Sequence, residues 1–559
     1  MTMSGKVLII GLDGVTFDWL DRLMAEGRCP TLARLIRAGV RSQLESTFPP
    51  ITAVAWTSLA TGKNPGKHGI FEFIMPRKGG RRTMAANATL RDGRALWEVL
   101  SQAGRRVIVT NFPCTYPPRQ LNGLMIADFM TPRGRRDFAY PPELLAEIES
   151  ALGPYRLYLT QTYASGNVNA VVDELLDELQ YKSQVNRYLM RRYPWDVFIT
   201  HLWGTDRIQH ELWHLIDPTH PRYDEEESRI YSQRVYEYWE QVDKHVSRML
   251  AEAGESTSVW IVSDHGFGAV HKYCSFNLWL LDQGFLKLNE GALSRLKRWL
   301  FEWGMTPELA YRITRHWLFS KIRPRRGVTT QPGSVGLLSN LFLSFNDVDW
   351  TKTAAYSKGN YGQIFVNLKG RDPQGMVEPG ADYQRVRDEI VTRLHKLVDP
   401  QTGGALIGPI WTKEEMYAGP HLDEAPDVCF LPRDMRYLAL GNADFNSNRF
   451  IADAFGNSGG HRMNGILIAM GEHIKRGAKF DHLKIFDIMP TVLFQLGMEI
   501  PDDLDGRVVA EIFEPAFLQD HAPRYQPATD THSTRPGIEY SPEEEAEIEA
   551  RLKSLGYTG

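Results

Sequence analysis

The chain has 559 residues, 64 Lys and Arg against 68 Asp and Glu, a formal net charge of -4 and four cysteines. That length supports a large buried core, about three to four units of roughly 150 residues. The balanced charge gives no overall attraction to nucleic acid, and Cys29, Cys114, Cys274 and Cys429, far apart with no Cys-x-x-Cys pair, fit reduced thiols in a cytosol better than a disulfide framework or a cysteine zinc site.

The first apolar run, residues 7–10, is too short for a signal sequence and reads as a strand. No window reaches the roughly 18 apolar residues of a spanning helix, so the expectation is a cytoplasmic protein. Similar Val- and Ile-rich runs recur at 107–110, 197–200, 259–262 and 466–469, separated by amphipathic helical patterns. Such alternation predicts an α/β fold with a parallel sheet covered on both faces. Three runs are followed by chemistry: Asp13 after the first, Asp206 and His210 after the third, Asp264 and His265 after the fourth. Ligands sit outside the carboxyl ends of such strands, so one sheet edge can gather these segments.

From 286 the pattern turns helical, tryptophan-rich and basic. Residues 294–326 carry nine cations (Arg295, Lys297, Arg298, Arg312, Arg315, Lys321, Arg323, Arg325, Arg326) against Glu302 and Glu308, a local excess of +7. With Trp299, Trp303 and Trp317 interleaved, this reads as a lid, a membrane-surface element, an anion site or a solvated face. A strand at 362–369 and a helix at 383–397 follow. The expected organisation is a catalytic core over 1–285 and 441–515, a smaller α+β cap over 286–440, and a linker with a C-terminal helix over 516–559. Ser541-Pro542-Glu543-Glu544 marks that helix's start.

The candidate chemistry lies on five segments. Asp13 sits between Leu12 and Gly14 at a strand end, which alone is a common turn. Thr52 opens a helical stretch at 53–60, where N–H groups and the dipole suit a nucleophile attacking phosphate; it serves equally as a cap. Asp206 and His210, four apart, share one helix face and can hold one metal, while His214 continues the row as a substrate group or a surface histidine. Asp264 and His265 turn opposite ways at a strand end, and His461 stands in a glycine-rich loop. Three Asp, three His and a hydroxyl form a donor set for two borderline divalent ions, Zn²⁺ or Mn²⁺ rather than Mg²⁺.

This ordered set resembles the alkaline phosphatase superfamily, in particular its type I phosphodiesterase and nucleotide pyrophosphatase branch and the related predicted phosphohydrolase/phosphomutase proteins. The run from Thr61 to Ile70, Thr-Gly-x-x-Pro-x-x-His-Gly-Ile, is specific to that branch, and residues 349–371 and 551–557 resemble the predicted phosphohydrolases. The resemblance implies an alkaline-phosphatase-like core and two metals, one bound by Asp13, Thr52, Asp264 and His265 and the other by Asp206, His210 and His461. It further implies attack by Thr52 and a phosphothreonine intermediate.

The nucleotide pyrophosphatases carry an asparagine just after the His-Gly-Ile run, whereas this chain reads Phe71-Glu72-Phe73. Asn111, at the end of the second predicted strand, is the candidate replacement. The expected partner is a small-molecule phosphate ester, or a lipid- or glycan-linked phosphate met through the basic insertion, with no specific nucleic acid. A cofactor-independent phosphomutase is the alternative use of the same site. A sulfatase is disfavoured because Thr52 cannot yield formylglycine, and a purely binding protein because every ligand position is filled.

Overall fold

The computed structural model describes residues 5–76, 83–161, 163, 167–309, 342–441, 445, 447–528, 538 and 540–554. Its centre is a nine-stranded sheet. In chain order the strands are β1 (Val7–Leu12), β2 (Val40–Glu45), β3 (Val107–Thr110), β4 (Gly123–Ile126), β5 (Ala139–Tyr140) and β6 (Val197–Leu202). After β7 (Ser258–Val262) come a two-stranded ribbon, β8 (Gly266–Ala269) with β9 (Gly459–Arg462), and then β10 (Asn464–Met470) and β11 (Ala478–Lys484). The spatial order is β11-β2-β10-β7-β1-β6-β3-β4-β5. β1 and β6 are buried at every position, which is why they read as unbroken apolar runs, whereas β2 alternates.

One strand departs from the predicted parallel arrangement. β10 runs antiparallel to both β2 and β7. A parallel neighbour needs a crossover of a dozen or more residues, but β10 starts two residues after Arg462, at the sheet edge where His461 already lies. The chain has only the reverse direction to take. β5 is likewise antiparallel to β4, and the remaining strands share one direction.

Each face of the sheet buries its own core. Leu8, Ile10 and Leu12 of β1 join α2 (Val168–Arg192) and α4 (Glu225–Ala253) on one face, while Val7 and Ile9 face a second cluster. Helix α1 (Thr52–Thr61) is buried throughout, its Trp56 and Leu59 in the second cluster. Helix α3 (Gly204–Leu212), also fully buried, follows β6 directly and carries Asp206 and His210 to the sheet edge.

The insertion has its own core. Strands Ala355–Ser357, Gln363–Val366, Val428–Pro432 and Ile407–Thr412 form a sheet packed by α6 (Ala381–His395), with α5 (Ala292–Glu302) ahead of it. This core reaches back to Cys274 and Phe276, ahead of the expected boundary at 286, because strand Lys272–Ser275 pairs with Tyr437–Leu440 and Ile451–Asp453. On α5 Leu293, Leu296 and Trp299 are exposed, as is Trp303 just after it. Lys297, expected on a basic surface, is instead buried and paired with Asp347 at 3.1 Å. Arg312, Arg315, Trp317, Lys321, Arg323, Arg325 and Arg326 lie outside the described residues.

The stretch expected to be a linker is partly structured. Phe517 packs against Phe494 and Phe513, and Tyr525–Gln526 pairs with Ile500–Pro501. One buried aromatic contributes about 1.5–3 kcal/mol, enough to anchor a short segment. Helix α7 (Pro542–Ser554) buries Ile548 and Leu552 in the first core. Among the described residues no helix is long and apolar enough to cross a membrane.

Candidate metal centre

Seven side chains predicted from five segments meet at the carboxyl edge of β1, β6 and β7. They form two buried groups: Asp13, Asp264 and His265, and Asp206, His210 and His461. Thr52, the first residue of α1, joins the first group, with Oγ1 3.5 Å from Asp13 Oδ1 and 3.4 Å from His265 Nε2. The groups adjoin, since the His265 and His461 rings stack with centroids 3.6 Å apart. Gly14 sits between them at φ +68°; a Cβ there would lie 2.9 Å from the Phe267 ring and 3.1 Å from Asp206 Oδ1. Only glycine combines that backbone with that closeness.

The hydrogen bonds define which histidine nitrogens face inward. Nδ1 of His210 lies 2.9 Å from Gly459 O, Nδ1 of His265 3.1 Å from Gly266 O, and Nδ1 of His461 2.7 Å from Pro50 O. A carbonyl only accepts, so each Nδ1 carries a proton, and each Nε2 when unprotonated turns a lone pair into the site. The Nε2 atoms of His210 and His461 face each other at 2.9 Å, and that of His461 lies 3.2 Å from Asp206 Oδ1. Asp264 Oδ2 is buried without a hydrogen-bond donor and 3.2 Å from His265 Nε2. Lone pairs so arranged repel unless cations stand among them. The residues therefore fit divalent metals: three carboxylates and three imidazole nitrogens are a donor set for two such ions.

Charge differs between the two groups. Burial first, then the negative charges of Asp264 and Asp206, raise the Asp13 carboxyl; burial and then Asp206 raise that of Asp264. Burial opposes ionisation of Asp206 too, but His210 and His461 outweigh it and hold its carboxyl below the ordinary range. Burial lowers His265 strongly and His210 to about 4, keeping both imidazoles neutral.

Three residues that the sequence did not single out shape the centre. His201, at the end of β6 and in register with Gly11, places Nε2 2.8 Å from Asp13 Oδ2, and Trp56 Nε1 donates to the same oxygen at 3.2 Å. Together they turn Oδ1 toward Thr52. A histidine closing an apolar buried strand was the available signal for His201. Tyr361, from the insertion, stacks on His461 with centroids 5.5 Å apart and accepts from its backbone N–H. It belongs to the first core although it lies 100 residues from His461 in sequence, and no local pattern announces it.

The two proposed substrate groups are occupied otherwise. The Asn111 amide donates to Ala127 O and accepts from Tyr155 Oη, because the strand end turns its side chain toward β4. His214 lies in a 3₁₀ turn beyond α3, with Nε2 3.2 Å from Tyr163 Oη, outside both metal groups. A strict four-residue row fails there because α3 ends at Leu212. In the run from Thr61 to Ile70, buried His68 binds Ser58 of α1 at 2.8 Å and accepts from Ile70 N–H, pinning the turn to the helix that presents Thr52.

The profile of the type I phosphodiesterase / nucleotide pyrophosphatase family matches residues 7–444. The chain belongs to that family, whose members are metal-dependent phosphoric ester hydrolases of the alkaline phosphatase superfamily. Among solved structures, the chain is similar to human ectonucleotide pyrophosphatase/phosphodiesterase 5 at 12% identity, covering 92% of this chain and 99% of that one, with a TM-score of 0.47. It is also similar to phosphonoacetate hydrolase from Sinorhizobium meliloti 1021 in complex with phosphonoformate, at 13% identity, covering 88% and 95%, with a TM-score of 0.48. No curated protein matches the chain.

Proposed function

We propose that this protein hydrolyses a small-molecule phosphate ester, with Thr52 as nucleophile and a phosphothreonine intermediate. The observation that carries this is the position of Thr52 Oγ1, within 3.5 Å of both Asp13 Oδ1 and His265 Nε2 at the start of a buried helix. Asp13, Asp264, His265 and Thr52 would hold one divalent ion, and Asp206, His210 and His461 the other, with Zn²⁺ or Mn²⁺ best suited to the mixed donors. Such ions, when bound, make a hydroxyl acidic and offset phosphoryl charge. The protein's own contribution is orientation. His201 and Trp56 hold Asp13, backbone carbonyls fix the three histidine tautomers, and the first N–H groups of α1 face the incoming phosphate. Thr52 Oγ1 forms the new bond to phosphorus, the ester oxygen leaves with its electron pair, and water then cleaves the phosphothreonine.

A cytoplasmic setting is supported by four buried, unpaired cysteines. The exposed apolar face of α5, bordered by Arg295 and Arg298, is the surface that would meet a membrane carrying lipid-linked phosphate. The deciding experiment is phosphate and alcohol release across monoesters, diesters and nucleotide pyrophosphates, each with Zn²⁺, Mn²⁺ and Mg²⁺. Release of alcohol with a denaturation-stable phosphorylated chain is expected. Rearranged substrate without release would replace hydrolysis by a mutase.

A further inference from the structure

Residues 417–424 of the insertion grip the core on both sides of α1. Beyond its end, Asn64 accepts from Ala418 N–H at 3.2 Å and donates to Ala418 O at 2.9 Å, while His421 N–H donates to Gly66 O at 2.9 Å. The His421 ring sits on Gly69, where a Cβ would come within 3.0 Å of it. Its Nε2 lies 2.6 Å from Asp92 Oδ2 and its Nδ1 3.1 Å from Glu424 Oε1. The hydrogen bond to Asp92, and then that to Glu424, raise this imidazole to about 9, so an ion pair ties the insertion to the core at neutral pH.

Before the start of α1 the grip is a single hydroxyl. Tyr417, 4% exposed, donates from Oη to Phe48 O at 2.9 Å, and its ring meets Phe71 edge-on at 5.4 Å. Phe48 lies in the link from β2 to Thr52, where three successive carbonyls each have a partner. Phe48 O accepts from Tyr417; Pro49 O accepts from Thr47 Oγ1 at 3.0 Å and Ile51 N–H at 2.9 Å; Pro50 O accepts from His461 Nδ1 at 2.7 Å. Pro49 and Pro50 bring no N–H of their own, so the place of this link depends on the donors that reach its carbonyls. Of these donors, Tyr417 alone comes from the insertion.

We infer that Tyr417 is a positioning residue of the metal centre. Its hydroxyl, through Phe48 O, holds the Pro49-Pro50 link where Pro50 O orients His461 and where Thr52 meets Asp13 and His265. The contacts of His421 lie beyond α1, at Gly66, Gly69 and Asp92, and fasten the insertion without reaching that link. The inference rests on the hydrolase reading above and deepens it: the insertion takes part in aligning the nucleophile.

The test compares Tyr417→Phe, which keeps the ring and removes one hydroxyl, with His421→Gln, which loosens the grip elsewhere. In the full-length protein, with histidines labelled by heavy nitrogen and Zn²⁺ present, solvent exchange of the His461 Nδ1 proton is followed by magnetic resonance. His461→Gln assigns the signal. Exchange should run about threefold faster or more in Tyr417→Phe and change by less than about 1.5-fold in His421→Gln, since one hydrogen bond supports the acceptor loop. With an ester that the wild type cleaves, Tyr417→Phe should lower kcat about three- to tenfold with KM within about twofold, because alignment rather than substrate binding is lost. Unchanged exchange in Tyr417→Phe, equal acceleration in both variants, or unchanged kcat overturns the assignment and leaves the hydrolase reading intact. If the wild type cleaves no ester, the hydrolase reading falls, and the exchange comparison alone decides whether Tyr417 positions His461.

Discussion

The two halves of the metal centre use the same residue types in opposite proportion. One sets two carboxylates beside one imidazole, the other one carboxylate beside two imidazoles. Burial acts on both, yet Asp13 and Asp264 are pushed toward the neutral form while Asp206 is held ionised. The first half is therefore incomplete electrostatically without cations, whereas the second already holds its carboxylate against histidines. It is the first, more cation-demanding half that adjoins Thr52.

The largest test of that asymmetry removes the hydroxyl. Thr52→Ala should lower turnover of aryl phosphates and aryl phosphodiesters by about 10³-fold or more while plasma emission still finds metal in both halves. Unchanged turnover would remove Thr52 from the chemistry. Next, Asp264→Asn and His461→Ala should each reduce bound metal from two ions to one per chain, with activity down about 100-fold. A full complement in either variant contradicts the ligand sets. Third, His201→Phe should weaken metal at the first half about 10- to 100-fold by freeing Asp13, leaving the second half's affinity unchanged. Chelator competition measures both.

The smallest effect concerns pH in the chelated protein. A carboxyl raised on folding binds its proton more tightly in the native state, so its contribution to stability falls as pH rises above the ordinary value of 3.8 toward the raised one. Asp206 has the opposite sign: its contribution is present above 3.8 and is lost below, toward its depressed value. At pH 8, without metal, Asp13→Asn should raise Tm by about 1–3 °C and Asp206→Asn should change it by less, because His210 is neutral there. Equal rises in both variants would dissolve the distinction between the halves.

Much of this centre is legible in the sequence because strand ends announce themselves. Asp13, Asp206, Asp264 and their histidines each follow an apolar run or sit in a glycine-flanked turn, and their spacing survives as geometry. Direction was harder: residues 466–469 look like any parallel strand, and only the short link from His461 forces β10 to run backwards. Asn111 and His214 illustrate another limit. Position near an edge did not reveal that Ala127 and Tyr155 engage the amide, or that α3 ends before His214. Tyr361 depends on a contact with His461, 100 residues away in sequence, which local periodicity does not encode.

The strands by which the insertion departs and returns, Lys272–Ser275 and Ile451–Asp453, are hydrogen-bonded to one another. Such adjacency makes the inserted segment look exchangeable, as one would swap a tool head on a fixed handle. Tyr361 forbids a clean exchange, because its ring is part of the surroundings of His461. A chimera carrying a foreign insertion would keep the joint and lose a wall of the metal centre, so new specificity in this architecture has to arise around a retained aromatic at that one place.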